Sequence, residues 1–562
     1  MSREDSDVFS LLDEPWIAAV GSHGEPLLVS IRQIFDGTHD IAELRGDSPA
    51  QDYAVLRVLL AIFWRAHSVS KPAGKTKFSM AEWFVKARAD ALEGAADIKV
   101  LSYLDGYANR FNLFDSDHPF MQVADLHTEK GSVSPINRII PEAENEFFTM
   151  RAGKPLETLS FGEAARWLVY VHAYDYSGIK SGAVGDSRVK GGKGYPIGTG
   201  WTGMTGGTYL IGANLRETLA LNTTEACLRT PNDKPVWERE PDTAAERNGG
   251  AIHIGGPADL ATWQTRRVRL HRENNEVVAV LVSNGDRIPD AGLNAFGDPM
   301  TPYRYSKNQS KKDFVAFYPR PYDAGRTMWR SLEPLIAMES DAPYLRSTSS
   351  AGKGAQAPKR PEILDQLAYY WRTDVLPPSV AHVGMVTVEY GAQSSSVAAS
   401  VTARTTLNLP VLENDAVRRA ALNAADVTLN AAIALGQFGG NLLVAAGGTY
   451  EFQAEPMDSA LAQLEPAFNR WVAGWSDSPE PKEYAIEWQK QVRSFMLSRG
   501  EAMLHAAGPR AMIGRPLLSS TTEKPQIVTA ASYFSLFGRR LDNSLPLLSE
   551  ESKKKEMVNT ND

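Results

Sequence analysis

The sequence predicts an α+β protein, with a large mixed α/β N-terminal domain (residues 1–404) followed by a C-terminal four-helix bundle (residues 405–546) and a disordered tail (547–562). Three observations carry this. Glycine-rich, proline-rich and aromatic segments of mixed pattern fill the first part. Long Ala/Leu/Glu/Arg segments of helical period begin at Asp415. Between them runs Val383–Arg404, VGMVTVEYGAQSSSVAASVTAR, in which two β-prone runs flank a polar tip and read as a hairpin at the junction.

In chain order, Pro26–Ile31 reads as a strand, Asp52–Ala66 as a helix apolar on nearly every face, and Ala81–Leu92 as a further helix. Asn112–Val123 is irregular and aromatic; its His118 has no partner at catalytic spacing and is expected to pack and hydrogen-bond. Gly131–Lys154 carries few core signals, and Phe161–Tyr176 reads as a helix. Lys180–Thr208 has glycine at ten of 29 positions together with Lys180, Arg188, Lys190 and Lys193, a composition suited to a backbone approaching an anion. Its GTGWTG string at Gly198–Gly203 fits GxGxxG but is followed by the β-like TYLIGANL, so the dinucleotide reading fails.

The alternating arginines of Trp263–Arg272 are expected on a solvated strand face, followed by a strand at Glu276–Val282. Ser283–Pro302 is a loop with Arg287 near its start, and Lys307, Lys311 and Lys312 form a second basic cluster. Ser347–Arg360 is expected to be disordered. Helices are then expected from Asn414 or Asp415 to Gly439–Gly440, and at Met457–Trp475, Lys482–Ala506 and Lys524–Leu541.

Composition bounds the function. Apolar residues at 43% and charged residues at 22% are ordinary for a globular chain. A net charge of −8 argues against coating nucleic acid by bulk attraction, while leaving local basic loops open. The single cysteine, Cys227, excludes an intrachain disulfide and a multi-cysteine zinc site, and is expected to be buried and structural; neither metal nor cofactor is expected. No run of apolar residues is long enough to span a membrane and the acidic N-terminus lacks a signal-peptide pattern, so a cytoplasmic protein without a membrane partner is expected.

Several strings now fall into a known order: DEPWI at Asp13–Ile17, DHPFMQV at Asp117–Val123, TGGT at Thr205–Thr208, NLRETLALN at Asn214–Asn222, and the glutamine-bearing hairpin before a helical bundle. Over nearly its whole length the chain resembles the CasA family, the large subunit of the type I-E CRISPR surveillance complex Cascade. The resemblance implies a non-catalytic subunit that reads the protospacer-adjacent motif (PAM) of double-stranded DNA through the minor groove and wedges the duplex open to start R-loop formation. It implies, as partners, the other Cascade subunits, the CRISPR RNA and a helicase-nuclease recruited afterwards. By position, the family's glycine loop falls on Pro196, Ile197, Gly198, Thr199 and Gly200, and its wedge on Gln393. A one-residue slip of the hairpin would present Ser394 instead. Its basic finger falls near Arg287, where this sequence departs from the family's lysine, with Lys307, Lys311 and Lys312 as rivals. The loop that contacts guide RNA and duplex falls on Phe148, Thr149 and Met150.

Two other readings stay open on sequence grounds. One is a nucleotide- or phosphate-binding enzyme that uses the Lys180–Gly203 loop as a cradle and His118 or His172 as acid or base; no paired carboxylates or nucleophile-base signature support it. The other is a scaffold that never touches DNA.

Overall fold

The computed structural model describes residues 8–69, 78–144, 151, 153–321, 332–345, 356–377, 379–475, 480–518 and 525–551. The chain divides into two compact units. One comprises Met1–Ala324, Lys359–Pro377 and Ala381–Arg404; the other comprises Gly325–Pro358, Pro378–Val380 and Thr405–Asp562. The α+β class is as expected.

Among the described residues the first unit has three antiparallel sheets of three or four strands, two two-stranded pairs and several buried helices. Near its start, Ile17–Gly21 lies between Pro26–Val29 and Ile41–Leu44. The helix Pro49–Ala66 begins three residues before the expected Asp52 because Ser48 caps it, accepting from the Gln51 N–H, and Pro49 supplies the fixed φ of a first turn. It is buried on nearly all faces, and Arg57 in its middle is neutralised by Asp298 at 2.7 Å, with both side chains sealed from water. Phe161–Tyr174, capped by Ser160, is the second buried helix.

A long hairpin of Arg266–Glu273 and Glu276–Asn284 turns at Asn274, whose φ of 53° is a left-handed value that asparagine tolerates. Ser134–Pro135 and Leu159–Ser160 flank it. The Gly131–Lys154 region is less bare than its sequence suggests, for Ile136, Ile139 and Ile140 are core residues. The third sheet has Val397–Asn408, Val380–Tyr390 and Gly207–Ile211 in that order, with His382 opposite Ile211 and Val386 opposite Gly207. Here Val383, Met385, Val386 and Val388 are buried, and Gly384 leaves room for the Tyr209 ring. Part of the segment expected to be disordered is ordered, since Lys359 and Tyr303 exchange both backbone hydrogen bonds at 2.9 Å.

In the second unit, Asp415–Ala445 packs against Ala454–Ala473, Pro481–Ala506 and Ala530–Ser544. Asn414 is the N-cap, accepting from the Ala416 and Val417 N–H groups. The helix does not stop at Gly439–Gly440. Those glycines, with Gly436, are bare so that Tyr450–Gln453 can lie against the helix: a Cβ on Gly440 would sit 2.6 Å from the Glu451 carbonyl and one on Gly436 2.7 Å from that of Gln453. Phe438 stacks on Phe537, and Trp488, beside Phe468 and Trp471, donates its Nε1–H to Thr428 Oγ1 at 3.0 Å. By length and composition Asp415–Ala445 is also apolar enough to cross a membrane, but 67% of its apolar 18-residue stretch is buried inside the structure, as in a core helix.

The expected helix at Lys524–Leu541 opens as a strand. Pro525–Val528 pairs with Arg515–Leu518, and the helix starts only at Ala530, where Thr529 and Ser532 form a reciprocal capping box. The unit also takes in Gly325–Pro358, outside the expected 405–546 span: Ala337, Leu345 and Ala357 form a small core with Leu422, and Asp341 accepts from Arg418. Residues 546–551, at the start of the expected tail, are helical.

Candidate nucleic-acid interface

The glycine loop starts beyond Gly194 and is tied at its root, where Asn284 donates from Nδ2 to the Tyr195 carbonyl at 2.6 Å. Tyr195 and Pro196 are exposed, Ile197, Gly198 and Thr199 half-buried, and Gly200 buried. Two of its glycines are required for different reasons. Gly198 has φ +101° with open space where a Cβ would stand, so the conformation demands it and its outer side is free. Gly200 is set against the end of Phe161–Tyr174, where a Cβ would fall 2.2 Å from the His172 carbonyl. Gly200 then becomes the N-cap of the short helix Trp201–Thr205, and the following Gly207–Ile211 is a strand, which bears out the non-dinucleotide reading of GTGWTG.

Beneath the loop lies an ionic hub. Asp175 faces Arg138 at 2.8 Å, Arg266 at 2.5 Å and Lys180 at 3.1 Å. Burial opposes its ionisation, but the three cations outweigh burial and hold the carboxyl well below the usual range. With one carboxylate against three cations, Lys180 is the group that gives way: burial, against the pull of Asp175, lowers its ammonium to about 7. Arg138 and Lys180 also lie over the Tyr176 ring, at 4.7 and 3.7 Å from its centroid.

These contacts correct two expectations. Arg266 and Arg267 are not on a solvated face; both are 1% exposed. Arg266 donates from Nη2 to the carbonyls of Tyr176 and Gly198 at 2.7 and 2.9 Å, and Arg267 reaches Asp286 at 2.8 Å. The signal was present in the sequence, because adjacent residues of a strand point to opposite faces and two successive arginines cannot share one solvated side. The anion cradle is also depleted. Lys180 is held by Asp175, and Arg188 pairs with Asp186 and Glu246, leaving Lys190 and Lys193 as the exposed cations of the four.

The hairpin tip meets the glycine loop through one residue, Ser177. The Ser177 N–H donates to the Ser394 carbonyl at 2.7 Å, and its Oγ accepts from the Gly198 N–H at 2.9 Å. The Tyr390 hydroxyl donates to the Tyr174 carbonyl at 2.9 Å and fixes the neighbouring strand. At the tip, Gln393 and Ser394 both have left-handed φ, 57° and 53°. Gln393 is exposed, whereas Ser394 is half-buried with its carbonyl engaged.

Arg287 is exposed, between Asp286, buried with Arg247 and Arg267, and Ile288, which packs in one cluster with Trp201 just after the glycine loop. Lys307, Lys311 and Lys312 are exposed on a separate turn. Phe148, Thr149 and Met150 lie outside the described residues. The histidines of the enzyme reading are poorly placed for it. His118 is exposed and does not pack, its backbone N–H bonding Asp115; His172 is buried, and burial lowers its imidazole to about 4 against the hydrogen bond to Met121. Cys227 is buried, its thiol pushed up to about 12 by burial, as befits an unreactive core cysteine.

A family model described as CRISPR-associated protein Cse1 matches residues 10–498. A curated relative, CRISPR-associated protein CasA/Cse1 of Thermus thermophilus, is 28% identical over 279 residues, which are 48% of this chain and 50% of that one; the match thus spans about half of the relative's length. The crystal structure of Thermobifida fusca Cse1 is 34% identical, with a TM-score of 0.82 over 97% of this chain and 100% of that one. A chain in a structure described as a CRISPR RNA-guided surveillance complex shares the fold at 19% identity, with a TM-score of 0.65 over 95% and 99% of the two chains.

Proposed function

The chain belongs to the CRISPR-associated Cse1 (CasA) family, and from that membership we propose that it is the large subunit of a cytoplasmic RNA-guided surveillance complex, one that reads the PAM of double-stranded DNA and opens the duplex beside it. The carrying observation is the union of a glycine backbone and an exposed glutamine in one hydrogen-bonded piece, through Ser177. A minor groove is narrow and presents a largely degenerate set of acceptors. A thin glycine backbone such as Pro196–Gly200 fits where a helix does not, and the reading it gives is permissive. Arg287, exposed beside a cluster that includes Trp201, is the basic finger of this scheme.

Gln393 is the wedge. Separating one base step costs a few kcal/mol, offset by contacts elsewhere, and an extended amide can both occupy the gap and hydrogen-bond exposed base edges. Once the duplex is open, pairing with the CRISPR RNA carries sequence recognition, so the subunit needs no chemistry of its own. Phe148–Met150 contacts the guide RNA and the duplex, and the opened complex recruits a helicase-nuclease.

The test replaces Gln393 with Ala in the assembled complex and follows R-loop formation on a PAM-bearing duplex. Opening is expected to slow on the order of tenfold or more, the equivalent of losing part of the unstacking energy. Unchanged opening would remove Gln393 from the mechanism.

A further inference from the structure

We infer that Ser177 is a positioning residue that couples the glycine loop to the hairpin tip, so that groove contact at one sets the aim of the other. The inference rests on the proposed reading of those two elements and goes beyond it by assigning the connection between them. Around Gly198 both backbone polar groups are spoken for. Its N–H goes to Ser177 Oγ at 2.9 Å and its carbonyl accepts from Arg266 Nη2 at 2.9 Å. The peptide planes on either side of Gly198 are therefore fixed, although its φ of +101° and open surroundings give the loop no packing of its own there.

The hairpin tip is fastened by the same residue. Ser394 N–H bonds Gly391, Ser395 N–H bonds Ala392, and Gly391 N–H bonds Ser396, all within the turn. The Ser394 carbonyl reaches outside it, to the Ser177 N–H at 2.7 Å. The Ser394 carbonyl lies in the peptide one Cα beyond Gln393, and the Ser394 N–H, in the peptide that does flank Gln393, is held to Gly391; the two bonds pin Ser394 on both sides and so hold the backbone from which the Gln393 side chain springs.

Ser177 itself cannot drift. It is 8% exposed and stands at the end of a bracket in which Asp175 is clamped by three cations and the Tyr176 carbonyl accepts from Arg266. The glycine loop and the tip are thereby held in one fixed relation, so the orientation the loop takes on DNA is the orientation in which Gln393 is presented.

Ser177→Ala removes the hydroxyl acceptor and keeps the N–H to Ser394; Ser177→Thr keeps both. In the assembled complex, opening of an intact PAM-bearing duplex, read by 2-aminopurine fluorescence at the first base step, is expected to slow about fivefold to tenfold in Ser177→Ala, as for one lost hydrogen bond. Ser177→Thr is expected to open at the unmodified rate. Binding to a PAM-bearing target already mismatched open at that step is expected to be unchanged in both variants. Normal opening by Ser177→Ala while Gln393→Ala is impaired would overturn the coupling and leave the wedge intact. Equal losses on closed and pre-opened targets, or no rescue by threonine, would make Ser177 merely structural and also overturn it. Normal opening by Gln393→Ala would fell the wedge reading itself.

Discussion

The imidazole Nε2 of His172 lies 2.8 Å from the carbonyl oxygen of Met121, a residue itself held at φ 51°. That nitrogen carries the hydrogen and donates, and burial lowers the imidazole from 6.5 to about 4. Between these values the unfolded chain binds a proton that the folded chain refuses, so stability falls as pH drops through that window. The full difference is about 3 kcal/mol at 1.36 kcal/mol per pH unit. Asp52 and Asp233, pushed up to about 6 by burial, act in the opposite sense, since their folded forms hold protons that the unfolded chain has released. The contribution of His172 is therefore read as a difference. In His172→Gln, which can still donate to Met121, the melting temperature should lose less than the unmodified protein does between pH 6.5 and 4.5.

Gly198→Ala and Gly200→Ala should separate surface from scaffold. At Gly198 the added methyl meets nothing but the backbone is left-handed, at a strain of about 1–2 kcal/mol. The variant should fold, with DNA binding falling more than thermal stability. At Gly200 the methyl would collide with the His172 and Ala173 carbonyls, at 2.2 and 2.5 Å, which belong to a buried helix and cannot yield. Its melting temperature should drop by several degrees.

Arg287→Ala should weaken binding of the assembled complex to PAM duplex and reduce the slope of log affinity against log salt by about one. Lys307→Ala, Lys311→Ala and Lys312→Ala serve as comparisons, each measured across a salt titration. The isolated subunit, with its net charge of −8, should bind duplex weakly and with strong salt dependence.

Asp341→Ala should destabilise the helical unit, by less than the about 3–5 kcal/mol of a wholly stranded buried cation because Arg418 keeps its bond to Asp415. Asp341 accepts from Arg418 Nε at 2.6 Å and Arg419 Nε at 2.9 Å, and Arg418 is fully buried. Adding Arg418→Met should recover part of that loss in urea unfolding.

What the sequence disclosed follows from where the physics is local. Helices with strong caps and apolar faces, such as Met80–Leu92 behind Ser79, were legible almost to the residue. So was the strand after the glycine loop, which follows from β-branched and aromatic content. The failures were long-range. The Arg266–Arg267 doublet shows locally that one guanidinium must turn inward, but nothing near it announces the partner, Asp175, 91 residues away. Gly439 and Gly440 read as a helix end because the chain that needs their bareness, Tyr450–Gln453, arrives later. Strand pairing of Pro525–Val528 depends on Arg515–Leu518 and is invisible to helical periodicity alone. At the candidate site, the glycine loop and Gln393 were readable singly, whereas their union through Ser177 was not, since no local rule links residues 177, 198 and 394.

The interleaving of the two units bears on how the protein can be taken apart. Each is made of three stretches of chain in alternation, so the polypeptide passes from one to the other five times. No single cut yields both halves. A fragment beginning at Thr405 would omit Gly325–Pro358, and with it Asp341, so Arg418 would face a vacated core. Such a fragment should express as an unstable, protease-sensitive polypeptide. One that supplies residues 325–358 in trans should become resistant, a split-protein complementation that makes the second unit's composition an experimental quantity.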